Sequence, residues 1–115
     1  MNVINVQLMN KIKNQQDQFN VLRKIEQKPA STQRELAVKL GFSLGKLNYC
    51  LKALNNKGLV KLKNFKKKTN KIKYLRYVVT PIGITERTKL TINFMKKKME
   101  EYDELKQELE RIKKI

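Results

Sequence analysis

Thr32-Gln33-Arg34-Glu35-Leu36-Ala37-Val38-Lys39-Leu40-Gly41-Phe42-Ser43-Leu44-Gly45-Lys46-Leu47-Asn48-Tyr49-Cys50-Leu51-Lys52-Ala53-Leu54 reads as two short helices joined by a tight turn. Thr32 and Glu35 have capping-box spacing, in which the side chains of a Thr and of a Glu three residues later satisfy free backbone amides at a helix start. Leu36, Ala37 and Leu40 form the apolar face of the first helix, and Gly41 stops it by tolerating a left-handed conformation. Ser43 caps the second helix, whose buried face is Leu47, Leu51 and Leu54, and Gly58 ends it. Ala37 has to be small because the second helix crosses close to it, and Gly41 lets the chain turn sharply. These are the requirements of a helix-turn-helix. The plainer reading of the same pattern is a pair of packed helices with solvated polar residues.

Upstream, Phe19, Leu22 and Ile25 recur at three-residue spacing with Val21 beside them, which predicts a helix over 15–28 ended by Pro29. Downstream, Leu59 to Lys63 alternates imperfectly and Tyr74 to Val79 is rich in aromatic and β-branched residues. Asn64 to Lys71 between them is polar and basic, with the character of a hairpin tip. Thr80-Pro81 starts another helix, because Thr caps and Pro loses nothing at the first helical position. No proline follows, and the only later glycine is Gly83, so one long helix is expected to Ile115. The fold class is mainly α with a small β-hairpin, a winged helix-turn-helix followed by a long C-terminal helix. The division is 1–14 as an N-terminal arm or helix with a dimer contact, 15–80 as the DNA-binding domain, and 81–115 as a dimerisation helix.

Charge narrows the function. The 115 residues carry 27 Lys and Arg against 10 Asp and Glu, a net charge of +17. By region the balance is +7 over 1–60 (ten basic, three acidic), +8 over 61–80 (eight, none) and +2 over 81–115 (nine, seven). A basic head joined to a mixed-charge tail suits a polyanion-binding module with a protein-interacting tail. With no histidine and one cysteine, Cys50, the chain cannot build a four-ligand zinc site or an internal disulfide. It also lacks a Gly-rich phosphate loop and paired carboxylates outside the tail, so no enzyme and no cofactor is expected. No run approaches the roughly 18 apolar residues of a membrane span. Residues 1–12 lack the pattern of a signal peptide, making a cytoplasmic location the default.

With Leu47, Leu51 and Leu54 inward, the outer edge of the second helix carries Ser43, Leu44, Gly45, Lys46, Asn48, Tyr49 and Lys52. Such a helix enters the major groove, where every base pair shows a distinct pattern. Lys46 can donate to guanine, Asn48 can pair with adenine, and Tyr49 can reach a phosphate or a thymine methyl. Thr32, Gln33 and Arg34, at the start of the preceding helix, are further candidate contacts. The hairpin supplies Lys66, Lys67, Lys68, Asn70, Lys71 and Lys73 for phosphates or the minor groove. Lysines that merely deter strand aggregation are the alternative there. In the tail, Met95, Met99, Tyr102, Leu105, Leu109 and Ile112 recur every three or four residues. Tyr102, Leu105, Leu109 and Ile112 fit a–d–a–d positions of about two heptads, too short to stand alone. Val3, Ile4, Val6, Leu8, Met9 and Ile12 can supply the missing support from a partner chain. A helix folded back on its own domain is the alternative. Cys50, between Leu47 and Leu51, reads as a small buried hydrophobe; a redox-sensing thiol, its pKa lowered by basic surroundings, is the alternative.

The order helix, Gln33-Arg34-Glu35-Leu36-Ala37, Gly41-Phe42-Ser43-Leu44-Gly45-Lys46, hairpin, Thr80-Pro81-Ile82-Gly83 resembles the MarR family of bacterial regulators. The run Ser43 to Leu54, with Asn64-Phe65, Asn70-Lys71, Thr80 to Ile84, Phe94, Lys98 and Glu101-Tyr102, resembles its exopolysaccharide-associated members over roughly residues 18–110. That resemblance implies a cytoplasmic homodimer, associated with the nucleoid when bound to duplex DNA, that regulates surface or exopolysaccharide genes. Two departures stand out. MarR wings commonly carry an Asp and an Arg that enters the minor groove, whereas this tip has Lys67, Lys68 and Lys71. Narrow minor grooves favour Arg, so phosphate contact is expected here. Classical members also have further helices that shape a small-molecule pocket, and for this chain the effector stays open. The rival from another class is a winged helix used for protein interaction or RNA binding. It gains if the tail or a partner covers the second helix.

Overall fold

The first 28 residues hold neither proline nor glycine, and they form a single helix, α1 (Val3–Gln27). In the computed structural model, which describes residues 3–66 and 73–114, the stretch read as arm or helix is thus continuous with the helix expected from residue 15. Residues 6–16 of this helix are solvated, Val6, Leu8, Met9 and Ile12 among them. After Pro29 the chain turns through Ala30, whose φ of 65° lies in the left-handed region. The Ser31 hydroxyl secures that turn by donating to the Lys28 carbonyl at 2.8 Å.

Helices α2 (Gln33–Leu40) and α3 (Leu44–Asn56) follow, then strands β1 (Val60–Lys66) and β2 (Lys73–Val79) and helix α4 (Pro81–Lys113). Thr32 caps α2 by accepting from the Glu35 amide at 3.0 Å. Only this half of the capping box forms as expected. The Glu35 carboxylate accepts a hydrogen bond from the Thr32 hydroxyl at 3.2 Å instead of reaching back to a backbone amide. Gly41 ends α2 at φ 69°, and Ser43 caps α3 by accepting from the Lys46 amide at 3.1 Å.

The strands pair antiparallel from Val60–Val79 out to Lys66–Lys73. Asn64, Phe65 and Lys66, expected in the hairpin tip, belong to β1. Phe65 stacks on its cross-strand neighbour Tyr74 with ring centroids 6.2 Å apart, and such pairs extend a ladder. The core joins Val21, Leu22 and Ile25 of α1 to Leu36 and Ala37 of α2. Leu47, Cys50, Leu51 and Leu54 of α3 and Leu59 and Val60 complete it. The residues assigned inward from helical spacing are there with two exceptions: Leu40 packs against the cluster half-buried, and Phe19 is buried outside it, against Phe94.

The start of α4 is bolted to the head. Thr80 caps it by accepting from the Gly83 amide at 3.0 Å, while its hydroxyl donates to the Gly58 carbonyl at 2.6 Å. Arg87 pairs with Glu26 of α1 at 2.9 Å, and Phe94 stacks on Phe19 at 4.9 Å. Beyond Phe94 the helix leaves the head. Met95, Met99, Tyr102, Leu105, Leu109 and Ile112 are 51–65% exposed. The chain accordingly measures 70 × 34 × 26 Å, with a radius of gyration of 18.8 Å, against about 13 Å for a compact chain of this length. Among the described residues no helix is long and apolar enough to cross a membrane.

Candidate nucleic-acid interface

Burial of Leu47, Cys50, Leu51 and Leu54 fixes the roll of α3 about its axis. Its opposite side presents Ser43, Leu44, Gly45, Asn48, Tyr49 and Lys52, all exposed. No part of α4 covers this edge. Gly45 has no heavy atom within 4 Å of where a Cβ would stand, so nothing in the chain's own packing demands its small size. A surface approaching from outside would meet bare backbone there.

Lys46 behaves differently from its neighbours. It is half-buried, and its ammonium turns back toward the head, 3.2 Å from Asp17 Oδ2 of α1 and 4.2 Å from the centre of the Phe42 ring. Reading α3 alone does not reveal this, because Asp17 lies on another helix. One turn further on, Cys50 is 3% exposed. Burial, then the nearby Asp17 carboxylate, push its thiol pKa up, against a smaller opposing pull from Lys46. A thiol so held stays neutral and poorly nucleophilic, as expected for a packing residue.

At the start of α2, Gln33 and Arg34 are exposed, whereas the Thr32 hydroxyl is occupied as the cap. The Thr32 hydroxyl, with Lys28 3.7 Å away, holds the exposed Glu35 carboxyl below the usual range. Of the hairpin candidates, Lys66 and Lys73 pair at the outer end of the ladder. Lys67, Lys68, Asn70 and Lys71 lie outside the described residues.

The strands add cations outside the hairpin tip. Lys63 and Arg76 are cross-strand partners; Lys63 lies 5.8 Å from the Phe65 ring centre and Arg76 4.5 Å from that of Tyr74. Each ring face attracts its cation. Strict strand alternation through residue 65, which places Lys61, Lys63 and Phe65 on one face, was the available signal. A groove of about 340 Å³ also opens between α1, α3 and α4, with Phe19, Leu22, Leu54 and Ile82 on its walls and Gln18, Lys57 and Glu86 among its polar lining. Among the described residues no group of three or more His, Cys, Asp or Glu is placed to hold a metal ion.

Residues 18–61, from the middle of α1 to the first residues of β1, match the family model described as winged helix-turn-helix DNA-binding. No curated protein matches the chain. Among solved structures it is similar to the PcaV transcriptional regulator of Streptomyces coelicolor, solved with its natural ligand. There the TM-score is 0.56 at 18% identity, covering 69% of this chain and 54% of that one. FabT of Streptococcus pneumoniae, solved in complex with DNA, gives 0.52 at 19% identity over 73% and 56%. NMB1585, a MarR family regulator of Neisseria meningitidis, gives 0.54 at 20% over 81% and 66%. The chain thus spans between about half and two thirds of the length of these neighbours. At such identities they establish a shared winged helix-turn-helix fold.

Proposed function

We propose that this chain is a sequence-specific duplex-DNA-binding transcriptional regulator of the MarR type, acting as a homodimer in the cytoplasm and on the nucleoid. The observation that carries this reading is the uncovered outer edge of α3, with Gly45, Asn48 and Tyr49 free to meet a major groove. It stands on a head whose first 80 residues hold a net charge of +15. In this reading Asn48 and Tyr49 select sequence, and Lys52, Arg34 and the wing lysines hold phosphates. The stripe from Met95 to Ile112 joins two copies. Control of surface or exopolysaccharide genes rests on the sequence resemblance alone.

Salt dependence tests the reading. With 6–10 phosphates neutralised, affinity for duplex DNA should fall roughly 10³–10⁵-fold between 50 and 200 mM salt. Selection from a random duplex pool should return two half-sites about one helical turn apart. A flat salt response and no enriched site would remove the proposal. Tighter binding to single-stranded RNA than to any duplex would favour the RNA-binding alternative, for which the Phe65–Tyr74 stack is the natural platform.

A further inference from the structure

Lys46 occupies the first turn of α3, where backbone amides and the helix dipole make the potential positive and a cation is poorly placed. Its neighbours on the outer edge face solvent, yet its ammonium bends back to Asp17 Oδ2 at 3.2 Å and onto the Phe42 ring. The Asp17 side chain is only 14% exposed, so its carboxylate has given up most of its water. It is compensated by the lysine. Asp17 also makes itself felt one turn along, where it helps to raise the Cys50 thiol. Asp17, Lys46 and Cys50 therefore form one cluster at the junction of α1 and α3, directly behind the edge that carries Asn48 and Tyr49.

We propose that Asp17 acts as an internal substitute for a DNA phosphate, holding Lys46 off the duplex and so setting how tightly α3 binds. The inference rests on the DNA-binding reading above. A phosphate approaching Lys46 meets the Asp17 charge behind it. Drawing the ammonium outward leaves a mostly buried carboxylate without its partner, a state that costs free energy. The two anions compete for one cation, and the exchange gives up most of what a free lysine would add. Lys46 then contributes little to DNA affinity while Asp17 is present, although its neighbours Gly45 and Asn48 belong to the reading edge.

The test compares the full-length protein with Asp17→Asn, Lys46→Met and the double variant. The probes are a duplex of about 30 base pairs, long enough for two half-sites, carrying the site selected by the unaltered protein, and an unrelated duplex of equal length. Asn keeps the shape of Asp17 and removes its charge. Asp17→Asn should bind both duplexes about 3–10-fold more tightly at 0.1 M salt, with a salt slope steeper by about one phosphate. The gain should vanish in the double variant, and Lys46→Met alone should change affinity less than about twofold. Equal or weaker binding by a folded Asp17→Asn protein overturns the proposal. So does a gain that survives the loss of Lys46, since that reports only long-range charge. If Asp17→Asn does not fold, Lys46→Met decides: a loss as large as that of Lys52→Ala shows that Lys46 already grips DNA. Failure of the unaltered protein to bind either duplex would instead defeat the functional reading itself.

Discussion

Asn48 stands on the second turn of α3, beside buried Leu47 and exposed Tyr49. Its carboxamide offers one donor and one acceptor at the spacing of the adenine edge, and a good bidentate pair contributes about 1–3 kcal/mol of discrimination. Asn48→Ala should therefore equalise affinity among duplexes that differ at a single base-pair position, with little change for an unrelated duplex. Competition binding across a set of single-base variants checks this, and a uniform loss on every sequence would make Asn48 a phosphate contact. The inward assignments of α3 were legible because Leu47, Leu51 and Leu54 repeat at helical spacing, and a helix has one axis about which to satisfy them. The posture of Lys46 was not legible. Its partner Asp17 sits on α1, and sequence spacing carries no information about which side chains of two helices meet after packing.

At the level of elements, the helix starts were the most readable features. Thr32, Ser43 and Thr80 each accept from the amide three residues on, at 3.0, 3.1 and 3.0 Å. A cap is a local contract between a hydroxyl and a nearby backbone, so it survives whatever the rest of the chain does. The hairpin's extent was harder to read, because the length of β1 depends on Phe65 finding Tyr74 across the ladder. The role of Gly83 was also hidden. A methyl group there would overlap the Leu59 carbonyl oxygen and come within 2.7 Å of Val79 Cγ1. This glycine lets α4 lie directly on the backbone leading into the wing, where the Thr80 amide also donates to the Leu59 carbonyl at 3.0 Å. Gly83→Ala should destabilise the fold by about 1–3 kcal/mol through overpacking. Gly45→Ala, with open space around it and no positive φ, should raise stability by about 0.5–1 kcal/mol. Urea unfolding of both proteins separates the cases, and equal midpoints would show that α4 is not seated on Leu59 as described.

The molecule as a whole is a head with a projecting spar. Its distal half leaves Met95, Met99, Tyr102, Leu105, Leu109 and Ile112 exposed, with no partner among the described residues. A water-exposed stripe of six large apolar residues is an association surface unless something covers it. Two heptads alone are marginal, because helix nucleation is costly and each turn adds little. Val6, Leu8, Met9 and Ile12, exposed on the first half of α1, form a second apolar set on the long helices. In the proposed homodimer, α4 of each copy would pack on the α4 and α1 of the other and cover both sets together. Replacing Leu105 and Leu109 with Glu puts two charges into that seam, each far from any buried residue of the head. The doubly substituted protein should sediment as a monomer at concentrations where the unaltered chain is a dimer. Its far-UV helical signal should fall as the unsupported end of α4 frays, while the core from Val21 to Val60 keeps its structure. Affinity for a two-half-site duplex should drop toward that for a single half-site, because the second head no longer arrives tethered to the first. A variant that remains dimeric would place the contact elsewhere. One that becomes monomeric but binds the full site undiminished would show that each head reads DNA on its own.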